Sequence, residues 1–341
     1  MSTYFHAIPR SGPYDEPPKA DREQARLGGS RHVWFDNVNI RSENGTWDYA
    51  LASELNAETR ARLSGARADL CGLSLDRPRI MGILNVTPDS FSDGGDHLSL
   101  ETAVARARAM AADADILDIG GESTRPGAEE VGIEEEIRRT APVIEAIRAA
   151  GITTPISIDT RKARVAEAAL DAGADIVNDV SAFLFDPELA NLVAERDVPV
   201  CLMHAQGSPE TMQADPRYDN VLFDVYDHLE ERISAACVSG IRRDRIIVDP
   251  GIGFGKTLEH NLSLLRGLSL LHDLGLPILL GASRKRFIGT IGGAEGAKDR
   301  MAGSVAVALF AAQQGAQILR VHDTFETRQA LALHLAMIGD E

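Results

Sequence analysis

Seven side chains carry most of the chemistry legible in this chain. Asp159, Asn178 and Asp249 close short apolar runs, in "SIDT", "IVNDVS" and "RIIVDP". A carboxylate placed there loses water and needs N–H donors to stay charged. An amidine-like edge, two N–H groups side by side, would satisfy one bidentately, so the trio suits a flat, nitrogen-rich heterocycle. Arg125, Lys285, Arg320 and His322 form a cationic group. The chain has 35 Lys and Arg against 51 Asp and Glu, a formal net charge of −16. Cations gathered in so acidic a protein mark a local anion site, and phosphate is the obvious anion. Metal binding by the carboxylates is the competing reading, but they lack the spacing of an HExxH helix or a calcium-binding loop.

These residues are scattered, so a scaffold must collect them. From Arg79 onward, apolar β-branched runs alternate with Ala-, Leu-, Glu- and Arg-rich stretches of helical period. The runs "RIMGILN" (79–85), "DILDIGG" (115–121), "PISIDT" (155–160), "DIVNDV" (175–180), "PVCLMH" (199–204), "RIIVDP" (245–250), "PILLGAS" (277–283) and "QILRVHD" (317–323) predict eight strands. Helical stretches such as "KARVAEAALDAG" and "LEHNLSLLRGLSLLHDLG" separate them, several ending at Gly as a C-cap should. Apolar strands alternating with helices imply parallel pairing with both faces covered. Eight such units in about 260 residues predict an α/β fold, the (β/α)8 TIM barrel. A doubly wound open sheet is the alternative, without a GxGxxG after the first strand to support it.

Barrel ligands bind at the C-terminal ends of the strands. Those ends read Asn85; Glu122, Thr124 and Arg125; Asp159; Asn178 and Asp179; His204; Asp249; Ser283, Arg284 and Lys285; and Arg320, His322 and Asp323. Polar groups in register at every strand end predict one shared functional face. Loops after strands seven and eight are frequent phosphate positions, in keeping with Lys285, Arg320 and His322.

Residues 1–77 differ in character and are read as an N-terminal extension to a barrel domain spanning 78–341. The stretch "IPRSGPYDEPPKADREQARLGG" is polar and Pro/Gly-rich, a linker or an ordered surface arm. "HVWFDNVNIRS" alternates like a strand, and "ASELNAETRARLSG" reads as a short capped helix. No chemical role follows; an adapter or oligomer contact is the expectation.

Other signals set bounds. The net charge argues against general nucleic-acid binding. No run approaches the roughly 18 apolar residues of a membrane helix, and the start lacks a cleavable signal, so a cytoplasmic protein with no membrane partner is expected. Cys71, Cys201 and Cys237 form no CxxC pair, and Cys201 in "PVCLMH" is read as a buried hydrophobe. "GIGFGKT" (251–257) imitates a phosphate loop but has three residues where four belong and Pro250 at the Gly position. It is read as the turn after strand six, with Phe254 lining the pocket.

Eight motifs in order, "GILNVTPDSFSDGG", "LDIGGESTRPGA", "SIDT", "IVNDVS", "CLMHAQGSP", "DPGIGFGK", "GASRKRFIG" and "RVHD", resemble the dihydropteroate synthase family from about Arg79 to the C-terminus. The resemblance implies a barrel enzyme that joins 6-hydroxymethyl-7,8-dihydropterin diphosphate to p-aminobenzoate and releases pyrophosphate. It assigns Asp159, Asn178, Asp249 and Lys285 to the pterin, with Met203 and Phe254 against its faces. It assigns Asn85, Arg125, Arg320 and His322 to the diphosphate and Mg²⁺, with Asn85 nearest the metal. Phe91, Thr124 and Pro126 would border p-aminobenzoate. Asp159, Lys285, Arg320 and His322 are the expected catalytic set, and a homodimer is the expected assembly.

The loop "VTPDSFSDGG" then reads as a mobile lid, with Phe91 over the second substrate and Asp89 and Asp93 capping the "ESTRPG" loop through Arg125. After "SRK" some members carry Ser; this chain has Arg286, leaving backbone N–H groups at a helix start to meet a carboxylate. A pterin-dependent methyltransferase would keep the acid–amide pocket but would not need "SRK" or the two loops. An inactive pterin-binding protein would not need every catalytic position filled.

Overall fold

The computed structural model describes residues 3–12, 23–86, 96–123, 130–207 and 212–339, and of 96–99 only the backbone. Ahead of the barrel lie β1 (Tyr4–Ala7), β2 (Arg10–Ser11), β3 (Ala25–Arg26), β4 (Val33–Phe35), β5 (Asn37–Arg41) and β6 (Trp47–Leu51). β5 pairs antiparallel with β1 and β6, and β4 with β2 and β3. Helix α1 (Ala57–Ser64) starts at Asn56, whose side chain accepts the Thr59 N–H at 2.9 Å. Strand alternation sorts the faces of this small unit. Ala7 and Val38 turn inward with Leu27, Phe35 and Leu63 to form its core.

Tyr4 and His6 turn the other way, onto the barrel. The Tyr4 hydroxyl donates to Asp227 at 2.9 Å, and its ring lies 4.6 Å from that of Phe223. His6 Nε2 is 2.8 Å from Ser269 Oγ. Asp273, its side chain fully buried, accepts from the Phe5 N–H at 3.1 Å, Arg62 at 2.9 Å and the Tyr226 hydroxyl at 3.2 Å.

The barrel strands are β7 (Arg79–Asn85), β8 (Ile116–Gly120), β9 (Ile156–Asp159), β10 (Ile176–Asp179), β11 (Val200–Met203), β12 (Ile246–Asp249), β13 (Leu279–Leu280) and β14 (Ile318–Val321). All eight fall within the runs read as strands. They pair in parallel in the order β12-β11-β10-β9-β8-β7-β14-β13, and a Val248–Ile278 bridge closes the ring. The helices are α2 (Asp96–Met110), α3 (Ile133–Ala149), α4 (Ala163–Asp171), α5 (Glu188–Arg196), α6 (Val221–Val238), α7 (Leu258–Arg266), α8 (Arg286–Gly292), α9 (Met301–Gln313) and α10 (Thr324–Met337). Apolar residues of strands and helices, such as Leu117, Ile158, Ile144 and Val165, share one core between the two layers.

The single helix expected over 258–275 is divided. α7 stops at Arg266 and a 3-10 turn covers Leu268–Leu274. Gly267 marks the break, where a Cβ would come 2.4 Å from Leu222 of α6. At the N-terminal end of the barrel, Leu70 and Leu73 bridge around Cys71 and Gly72, both at positive φ. This hairpin packs on Met81, Ile116, Ile176, Cys201 and Ile247 and stops that end with apolar side chains. No helix among the described residues is long and apolar enough to cross a membrane.

Candidate active site

Strand register builds the site. Asn85 pairs with Gly120, Gly120 with Asp159, and Asp159 with Asn178, so the ends of β7, β8, β9 and β10 stand at one level. Gly120 lies against Asp159: a Cβ there would come 3.4 Å from the Asp159 Cβ. Met203 and Asp249 pair across β11 and β12. Asp159, Asn178, Met203 and Asp249 are all buried.

Arg320 ties the two halves. From β14 its Nε donates to Asp118 Oδ2 and its Nη2 to Asp159 Oδ2, each at 2.6 Å. Asn178 Nδ2 is 3.5 Å from Asp118 Oδ1. Burial works against the charge on Arg320, and Asp118 and Asp159 more than offset it, holding the guanidinium above its ordinary value. Burial pushes Asp159 up to about 7, with Arg320 opposing. Gly281 borders both Asp249 and Arg320: a Cβ there would lie in van der Waals contact with them, 3.6 Å from Asp249 Oδ2 and 3.7 Å from Arg320 Cδ.

Asp249 accepts the Gly251 N–H at 2.7 Å and is pushed up to about 6 by burial, with that N–H, Lys285 and Arg320 opposing. Lys285 Nζ lies 4.0 Å from the Phe254 ring centroid, a cation–π contact beside the acid. Ser283 Oγ accepts the His322 N–H at 3.2 Å and sits 3.0 Å from His322 Nδ1. That pair can share a proton in either direction, with the ring proton on Nδ1 or on Nε2 according to the tautomer.

Other strand-end groups do structural work. Glu122 meets Lys162 at 3.1 Å, and Lys162 meets Glu136 at 2.7 Å, in a buried network with Thr160. Asp179 accepts from the Ser181 and Phe183 N–H groups at 2.8 and 2.6 Å, bracing a loop where Ala182 and Phe183 have positive φ. The Arg284 Nε donates to Asp323 at 3.0 Å. Arg286 begins α8 and is exposed. Phe91, Thr124, Arg125 and Pro126, with Asp89 and Asp93, lie outside the described residues.

Asp118 escaped the strand-end reading because it stands two residues before the end of β8. The signal was an acid inside the apolar run "DILDIGG". Asp118, Asp159 and Asp249 act on Arg320, and Lys285, Arg320 and Lys256 act on Asp249, so opposite charges are gathered in one buried site.

A model of the pterin binding enzyme family matches residues 81–322. The dihydropteroate synthase of Escherichia coli (strain K12) is 50% identical over 260 residues, covering 76% of this chain and 91% of that protein. Its counterpart in Neisseria meningitidis serogroup B is 47% identical over 271 residues, 78% of this chain and 94% of that protein. The solved structure of Xanthomonas albilineans dihydropteroate synthase with 4-aminobenzoic acid aligns with a TM-score of 0.75 at 50% identity, over 80% of this chain and 98% of that one. The same enzyme in complex with 7,8-dihydropteroate aligns at 0.70 and 48% identity, over 78% of this chain and 96% of that one. These matches define the class, a pterin-binding transferase on a (β/α)8 barrel. The chain belongs to the dihydropteroate synthase family, and its activity is the condensation of the pterin diphosphate with p-aminobenzoate.

Proposed function

We propose that the enzyme performs this condensation by a dissociative, SN1-like displacement. The observation that carries the proposal is the Asp118–Arg320–Asp159 bridge, which sets a cation and a carboxylate side by side at the mouth of the barrel. The arylamine is neutral at pH 7, so its lone pair needs no base. The barrier lies in breaking the C–O bond to diphosphate. Arg320 and the His322 ring would meet charge as it grows on the leaving group, with Arg125 joining them. Asp159 would face the electron-poor CH₂ that the dihydropterin ring stabilises. Asp249 would take the aminopyrimidine edge, Asn178 a second polar edge, and Met203 and Phe254 the ring faces, with Lys285 beside them. Phe91, Thr124, Pro126 and Arg286 would border p-aminobenzoate.

Asn85 offers one neutral hard oxygen at the end of β7, and no cluster of three His, Cys, Asp or Glu among the described residues could hold a metal. That donor set fits Mg²⁺ arriving with the diphosphate, since magnesium keeps waters and takes few protein ligands. Bound there, the ion would neutralise leaving-group charge. We also place the enzyme in the cytoplasm as a homodimer. Exposed Phe310 on α9 and Phe325, Leu333 and Met337 on α10 support a second copy against these helices.

The test is an end-point assay with Mg²⁺, both substrates, and Lys285→Ala and Asp249→Ala alongside. Dihydropteroate and pyrophosphate in equal amounts, lost in both variants, is the expected result. Tight pterin binding without product would overturn the reading in favour of a binding protein or a methyltransferase.

A further inference from the structure

Lys256 is the lysine of the stretch that imitates a phosphate loop, and the structure turns it inward. It is buried, with Nζ 2.9 Å from His204 Nδ1, 2.9 Å from the Phe254 carbonyl and 3.4 Å from the His204 carbonyl. Three acceptors match the three protons of the ammonium form, which burial opposes, lowering Lys256 to about 7 with Asp249 working the other way. Burial, then Lys256 itself, lowers His204 to about 2, so its ring stays neutral and can accept. The loop lies against the segment after β11 so closely that a Cβ at Gly251 would come 1.9 Å from the His204 carbonyl oxygen, and one at Gly255 2.4 Å from that of Gln206. Both glycines have positive φ. A buried amine is costly unless its protons find hydrogen-bond acceptors, and these do. Those bonds fix the backbone of Phe254, whose ring carries Lys285.

The geometry points to Lys256 as a positioning residue for pterin recognition, an internal staple that joins the loop after β12 to the end of β11 and holds Phe254 under Lys285. This rests on the reading that Asp249, Phe254 and Lys285 receive the pterin. Lys256 acts chiefly through Phe254, with a lesser charge effect on Asp249, and touches no reacting atom. The apparent phosphate loop is therefore an amine-stapled floor: its lysine serves protein carbonyls and an imidazole, and its glycines allow the close approach.

The experiment titrates 6-hydroxymethylpterin by fluorescence without amine, and measures both KM values, in Lys256→Met, Phe254→Leu and the double variant. Lys256→Met is expected to weaken pterin binding about tenfold and raise the KM of the pterin diphosphate, with the KM of p-aminobenzoate unchanged. The double variant should be little worse than either single one, because both act through one contact. Wild-type pterin binding, equal rises in both KM values, or additive effects would overturn the proposal. Should Lys256→Met fail to fold, His204 decides. His204→Asn keeps an acceptor near Nδ1 and should retain pterin affinity, and His204→Leu should lose it; equal behaviour of the two overturns the staple. Asp249→Ala separates the two readings, since unchanged pterin binding there would displace the pocket itself.

Discussion

Arg320 reaches Asp159 at 2.6 Å while its Nε holds Asp118 at the same distance, so one guanidinium is fixed at two points before any ligand arrives. A cation fixed in this way needs little reorganisation when charge develops beside it. Asp118→Asn keeps the shape and removes the charge. Losing one charge-assisted hydrogen bond is worth roughly 1.5–3 kcal/mol, so kcat/KM for the pterin diphosphate should fall about 10- to 100-fold. Steady-state kinetics would show the KM of p-aminobenzoate unmoved; a rise in that KM alone would sink the assignment.

Asp249 gives a pH dependence with a definite sign. Its carboxyl is raised from 3.8 to about 6, chiefly by burial. The folded protein therefore holds this proton where the unfolded chain has lost it. The stability contribution is complete below about pH 4 and is lost as pH rises through about 6. Pterin recognition runs the other way, because an N–H edge prefers the carboxylate. Pterin affinity should climb from pH 5 through about 6 and level near pH 7, and Asp249→Asn should bind weakly without that step. Asp159→Asn, removing the neighbour raised to about 7, should keep it.

A dissociative displacement leaves an isotopic trace. With ¹⁸O in the bridging position and no amine present, label should scramble within the diphosphate as the C–O bond breaks and re-forms. Mass or phosphorus spectroscopy reads the exchange, and its complete absence would count against a cation that lives long enough to matter.

Asn85 should show itself through magnesium. Asn85→Ala removes the one protein oxygen assigned to the ion, and the half-saturating Mg²⁺ concentration should rise about tenfold, near 1.4 kcal/mol. Activity titrated against Mg²⁺ checks this. An unchanged midpoint with lower kcat would move Asn85 from the metal to the substrate.

Asp273 joins the extension to the barrel, far from the chemistry. Asp273→Ala strips partners from the Phe5 N–H, Arg62 and the Tyr226 hydroxyl. Removing one partner of a buried ion pair costs about 3 kcal/mol, here tempered by the partial exposure of Arg62. The urea midpoint should drop accordingly with kcat unaltered, and an unaltered midpoint would show that the seam carries no stability.

The barrel was legible because each strand is buried on both faces and writes an unbroken apolar run, from "RIMGILN" to "QILRVHD". Residues at strand ends, such as Asp159, Asn178 and Asp249, were legible for the same reason, since a polar group after such a run has few other uses. Asp118 was not, because a rule about ends passes over a mid-strand acid whose partner lies 202 positions away. Lys256 was hidden by its neighbours: local glycine spacing suggests a ligand loop, and only the fold shows that the space is filled by His204. The break at Gly267 was equally invisible, since the helical period continues through it and the reason is a side chain on α6.

The docking of Tyr4 on Asp227 spans 223 positions of chain. During synthesis at about 5–20 residues per second, the first strand waits roughly 10–45 seconds for the helix that seats it. For that interval the small unit must remain soluble without its seat. Its own core of Leu27, Phe35, Val38 and Leu63 is a means of doing so. The face bearing Tyr4 and His6 stays wet until α6 and the 268–274 turn emerge. The extension is thus made well before its seat and is among the last parts to reach its final place, so damage to that seat should surface as slow or failed maturation of the nascent enzyme.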